Sequence, residues 1–341
     1  MNFKLINLLD KLQFGEVQNF KNLTIMPFHY KNGNKLEYIS LEKALEKEMI
    51  SIKEISEGGS VPELFVANDS DVKVLLLDGE ELIGAKQNRV LNTTILLDVK
   101  TSTKIPVSCV EAGRWQYKNR FFSSAERTMP SSMKFAKNIS VTKELKESEG
   151  KSYRSDQSEV WMGVSRLSTD NKFKSPTGAM SDVYDYKKED IDEYIKSFTL
   201  KENQNGMIIF INNNFAGVEY ISYQNCFAEL YNKLLKGYIM DALTCKKNND
   251  NQDFELMRNE RFDKIKKEKI DTFKSVGMGE DNRIQSDSFI ASFLYVEDEI
   301  IHFNALQELK ISIENLNFDA WKDSNRQSEL EYSGIPIVYR R

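Results

Sequence analysis

Between residues 23 and 111 the chain is a succession of short apolar segments, each closed by a turn signal. This pattern restricts the fold more than any other feature. NLTIMPF, SIKEIS, VPELFVAN, VKVLLL, RVLNTTILLDV and IPVSCVE are divided by signals such as Gly58-Gly59 and Asp78-Gly79. Short apolar runs bounded in this way read as strands. One helix interrupts them: Ser40 is placed to cap LEKALEKEMI, although Lys43 stands where a capping box wants Glu or Gln.

From about residue 140 the periodicity turns helical. SDQSEVWMGVSRLS sets Val160, Trp161, Val164 and Leu167 on one face, and KEDIDEYIKSF does the same with Ile191, Ile195 and Phe198. GMIIFINNNFAGVEYIS reads as a hairpin turning at Asn212-Asn213-Asn214, residues that tolerate positive φ. A long helix follows, CFAELYNKLLKGYIMDAL, with Phe227, Leu230, Leu234, Tyr238 and Leu243 as its buried stripe. FIASFLYV and EIIHFNAL close the pattern as a strand pair.

The resulting expectation is a single α+β domain over residues 1–341. Its first half is strand-rich, in a mostly antiparallel or mixed sheet, and helices of the second half pack alongside. Residues 246–275, strongly charged with both signs interspersed, read as a solvated helix or mobile insertion, and 285–341 as the strand pair and tail.

Charge and cysteine usage then exclude several function classes. Lys and Arg number 47 against 52 Asp and Glu, well mixed, so there is no basic footprint for nucleic acid. No apolar run is long enough to span a bilayer, and MNFKLINLLDKLQF reads as amphipathic rather than secretory, being interrupted by Asp10 and Lys11. Three scattered cysteines argue for reduced thiols in a cytoplasm. Two histidines, His29 and His302, leave little material for a histidine-rich zinc site.

Two clusters carry chemistry. In IPVSCVEAGRW the inward positions Ile105, Val107 and Cys109 run into Glu111, followed by a turn and by Arg114 and Trp115. Glu111 and Arg114 read either as a structural ion pair or as the edge of a pocket. Cys109, within an apolar alternation, reads as a small buried hydrophobe. In DGEELIGAKQNR, Glu80, Glu81, Lys86, Gln87, Asn88 and Arg89 gather either as a charged hairpin connection or as a donor-rich site for phosphates, carboxylates or a base edge.

GEELIGAKQNRVLNTTILL followed by IPVSCVEAGRW closely resembles the ARG and rhodanese–phosphatase-superfamily-associated protein domain, where ARG stands for ADP-ribosylglycohydrolase. QSEVW (157–161), SPTGAM (175–180) and GVEYISYQNCFAELYNKLLKGYIMDAL continue the resemblance, which makes residues 20–245 the family-like core. It implies a link to ADP-ribose and NAD derivatives, with a small-molecule nucleotide derivative as partner, hydrolysed by an enzyme or bound by a non-catalytic sensor; the alternative is a scaffold or interaction protein of such a system, whose motif residues only stabilise the fold. On that implication Arg89 and Arg114 suit a diphosphate, with Lys86 a further donor in the same segment. Gln87 and Asn88 suit ribose hydroxyls or a base edge, and Trp115 a stacked ring. Glu81 and Glu111 are the candidate general acid and base, or the holders of a magnesium ion.

Overall fold

The computed structural model describes residues 2–33, 35–56, 59–60, 62–245 and 253–309. These form an α+β fold, and residues 1–309 cluster as one compact unit. The strands expected before residue 111 are present as Leu23–His29, Ile50–Glu54, Glu63–Asn68, Lys73–Leu76 and Thr101–Cys109. RVLNTTILLDV divides into Arg89–Leu91 and Ile95–Leu97, and the DGEELIG segment supplies a further strand, Glu80–Gly84.

Three sheets result. A nine-stranded sheet joins Leu23–His29 to the hairpin Gly206–Ile211 and Asn214–Ile221, and then to Glu299–Gln307, Phe289–Val296 and Glu280–Gln285. Strands of the second half therefore build most of this sheet rather than merely adding helices beside it. A six-stranded sheet carries Phe122–Thr128, Glu80–Gly84, Arg89–Leu91, Thr101–Cys109, Glu63–Asn68 and Ile50–Glu54 in that order. The third, of three strands, contains the one parallel pairing among the described residues, Tyr38–Ser40 with Lys73–Leu76.

The large sheet is covered on both faces, which explains why GMIIFI is apolar throughout. Met207, Ile209 and Ile211 pack with residues of the helices Gln157–Asp170, Lys188–Ser197 and Gln224–Thr244. Ile208 and Phe210 face the other way, toward Leu5, Leu8 and Leu9 of the helix Asn2–Asp10 and Phe262 and Ile265 of the helix Phe254–Lys267. Each of those leucines contributes roughly 1.5–3 kcal/mol by leaving water. The hairpin turns through Asn212 (φ 49°) and Asn213 (φ 61°), the geometry that asparagine tolerates.

Several local expectations give way to tertiary context. Ser40 caps its helix by accepting from the Lys43 N–H at 3.3 Å, yet the helix is only Leu41–Glu46. Glu48 takes φ 56° because Ile50 must enter a strand opposite Asn68. Trp161 is exposed although its neighbours Val160, Val164 and Leu167 are buried. The charged segment holds the helix Phe254–Lys267 and then an edge strand, Asp271–Lys274; residues 246–252 lie outside the described residues, as do 310–341 of the tail. Among the described residues no helix is long and apolar enough to cross a membrane.

Candidate functional site

The strand Thr101–Cys109 pairs with Arg89–Leu91, setting Cys109 opposite Arg89. Past Cys109 the chain leaves the sheet and is caught by backbone: Glu111 bridges Ala179, the Met180 N–H donates to Val110 O at 2.9 Å, and the Gly113 N–H donates to Thr177 O at 2.7 Å. A Cβ at Gly113 would lie 2.8 Å from that carbonyl oxygen, so the approach requires glycine. Gln157 brackets Cys109, accepting its N–H and donating to its carbonyl, both at 2.8 Å. Segments 48 to 70 residues away in sequence thus fix the end of one strand.

The DGEELIG carboxylates are not on a surface hairpin. Each is buried against its own cation: Asp78 on Lys137, Glu80 on Lys233 at 2.8 Å, and Glu81 on Arg127 at 2.7 Å. Burial raises the Glu81 pKa, opposed by Arg127. Arg127 also reaches Asp185 at 2.9 Å.

Asn88 is the hub of the turn that follows. Its side-chain amide donates to Glu81 Oε1 at 3.4 Å and to Ser181 Oγ at 3.3 Å, and its backbone N–H donates to Glu111 Oε2 at 3.1 Å. Its side-chain Oδ1 accepts from Arg114 Nη2 at 3.1 Å. Arg114 engages every N–H it has. Nε and Nη2 hold both oxygens of Glu111 at 2.9 and 2.7 Å, and Nη1 donates to Ala85 O and Gln116 O at 2.7 and 3.0 Å.

Arg89 is different. It is fully buried, and its Nη1 donates to Gln87 Oε1 at 2.8 Å, but Nε and Nη2 have no hydrogen-bond partner. Neither has the carboxylate of Glu54, whose Oε1 lies 3.9 Å from Nη2. Trp115, 45% exposed, covers this pair: the Arg89 guanidinium lies 5.7 Å from its ring and the Lys86 ammonium 5.2 Å. Burial pushes the nearby Cys109 thiol up to about 11, with Arg89 pulling the other way.

A family model, described as the ARG and Rhodanese-Phosphatase-superfamily-associated Protein domain, matches residues 11–306. The chain belongs to this family. No curated protein and no solved structure matches it.

Within the family domain, the motif residues fall into two connected groups. Glu81, Asn88, Glu111 and Arg114 form one hydrogen-bonded set. Lys86, Gln87, Arg89 and Trp115 form the other, through the Gln87–Arg89 bond and the Trp115 ring. Roles shift accordingly. Arg114 spends its donors on Glu111, on Asn88 and on the backbone of the turn at 84–88. Glu81 and Glu111 each hold a guanidinium, so a magnesium ion would have to displace an arginine from either; the donor set does not fit that cation. Among the described residues no group of three His, Cys, Asp or Glu side chains gathers as a metal site.

Sequence reasoning passed over Glu54, Arg127 and Gln157. Glu54 carried the same signal as Glu111. Ile50 and Ile52 take inward positions of their strand and Glu54 takes the next one, a carboxylate where a buried face should continue.

Proposed function

We propose that the domain binds a small-molecule nucleotide derivative of the ADP-ribose and NAD class on the face formed by Lys86, Gln87, Arg89 and Trp115. Arg89 carries the reading. A buried guanidinium with two unpartnered nitrogens is rare in folded proteins, where buried polar groups are almost always bonded, and this one lies behind a half-exposed indole. The positive charges of Lys86 and Arg89 draw an anionic ligand, and the Trp115 ring offers a stacking face. Membership of a family associated with ADP-ribose processing supports the choice of class.

Binding without turnover is the form the geometry favours, because Glu81 and Glu111 are both held in ion pairs. Hydrolysis is a second reading, favoured by Glu54, whose two oxygens have no hydrogen-bond partner and so remain open to a proton. Calorimetric titration with ADP-ribose and NAD, followed by chromatography of the mixture, tests both. Saturable heat with the nucleotide recovered intact supports the sensor, and product formation supports the hydrolase. Absence of heat with either nucleotide contradicts the proposal.

A further inference from the structure

We propose that Glu54 and Arg89 together form a slot for sugar hydroxyls, and that the ligand enters it with a ribose bearing a free cis-diol rather than with a phosphate. The inference rests on the nucleotide-binding reading above and specifies which part of the ligand is buried.

Arg89 Nη2 and Glu54 Oε1 are 3.9 Å apart, with side-chain exposures of 0% and 3%. That spacing keeps the Coulomb attraction but is too long for a hydrogen bond. Four polar atoms are left without partners: both Glu54 oxygens, and Arg89 Nε and Nη2, the side edge of the guanidinium that binds in a bidentate manner. Leaving buried polar groups without hydrogen bonds is costly.

Three kinds of ligand group reach this pair, and only one suits both members. A phosphate matches the Arg89 edge but brings its negative charge against Glu54. An ammonium matches Glu54 and is repelled by Arg89. A hydroxyl donates to the carboxylate and accepts from the guanidinium through the same oxygen. An oxygen about 2.8 Å from each partner spans the gap. Two adjacent hydroxyls match two carboxylate oxygens and two N–H donors, the complement that a ribose diol provides.

Gly59 borders the slot closely. At φ 77° it has the left-handed backbone that favours glycine. A Cβ there would lie 3.5 Å from Glu54 Oε2, 3.4 Å from the Trp115 ring and 3.2 Å from the Lys86 stem. The missing side chain thus lies where carboxylate, indole and lysine meet. With the diol in the slot, the anionic remainder of the ligand falls to Lys86, whose ammonium lies 5.2 Å from each of the Trp115 and Tyr117 rings.

The test uses the full chain with ADP-ribose bound, displaced in turn by ribose 5-phosphate and by 2-deoxyribose 5-phosphate. Ribose 5-phosphate is expected to displace at a concentration at least ~10-fold lower, since a site built for a hydroxyl discriminates against an analogue lacking it. Glu54→Gln, checked for native circular dichroism, is expected to weaken ADP-ribose by about tenfold or more. Should that variant fail to fold, the two sugars still decide the matter on the unaltered protein. Equal displacement by both sugars, or none by either, overturns the slot while nucleotide binding stands. Failure of the unaltered protein to bind ADP-ribose overturns both.

Discussion

Arg114 holds both carboxylate oxygens of Glu111, at 2.9 and 2.7 Å, while the Asn88 N–H donates to the same carboxylate. Of the two readings open for this pair, this geometry supports the ion pair that ties one turn to a strand end. Glu111→Gln replaces one acceptor oxygen by an amide that cannot accept from the fork. A loss of about 1–3 kcal/mol is expected, visible as a lower midpoint in thermal or urea unfolding. An unchanged midpoint would return Glu111 to the pocket.

Arg89 and Glu54 predict a different signature. Removing either charge alone strands the other in the interior and is expected to cost about 3–5 kcal/mol. Replacing both, as Arg89→Met with Glu54→Leu, removes two charges that have no bond to each other, and the double variant is expected to be neutral or up to about 4 kcal/mol more stable. Urea unfolding of the four proteins in this cycle measures the coupling. A double variant less stable than both single ones would mean that the pair supports the fold rather than a ligand.

The cysteines give a pH test. Burial pushes the thiols of Cys109 and Cys245 up to about 11, and it also raises that of Cys226 well above the ordinary thiol value. At pH 8 only about one folded molecule in a thousand then carries a given thiolate, against a sizeable fraction for a free cysteine of pKa ~8.5. Iodoacetamide labelling should therefore be slow at pH 8 and accelerate toward pH 11. The unfolded chain loses these protons first, so stability falls as pH rises past the ordinary thiol value. Fast labelling of Cys109 in folded protein at pH 8 would show an activated thiol.

Much of the fold was legible because its strands announce themselves locally. Gly206–Ile211 and Asn214–Ile221 follow from an apolar run, three asparagines and another apolar run. What stayed hidden depends on partners far along the chain. Nothing in LEKALEKEMI says that Ile50 pairs with Asn68 and so cuts the helix short. Nothing in DGEELIG says that its three acids meet Lys137, Lys233 and Arg127, which are 46 to 153 residues away. The candidate site divides along the same line. Motif positions from Glu81 to Trp115 are brought together, but which side chains are consumed and which are left open is decided by contacts such as Arg89 with Glu54.

Lys137 tests that buried network. Its ammonium donates to Asp78, to Asn92 O at 3.0 Å and to Asn138 Oδ1 at 2.9 Å, fully enclosed. Lys137→Met leaves the Asp78 carboxylate in the interior with Asn138 as its remaining side-chain donor. A loss of about 3–5 kcal/mol is expected, measured by urea unfolding. A loss below about 1 kcal/mol, the scale of a surface pair, would contradict the enclosed geometry.

If Arg89 is kept buried and half-unbonded for a ligand, its loss must weaken nucleotide binding. Calorimetric titration of ADP-ribose into the unaltered protein and into Arg89→Met measures this, with circular dichroism confirming that the variant folds. Saturable binding to the unaltered protein is expected, and at least ~10-fold weaker binding to the variant, the scale of a lost charge-assisted hydrogen bond. Equal affinity in both proteins, or no binding to the unaltered one, would contradict it.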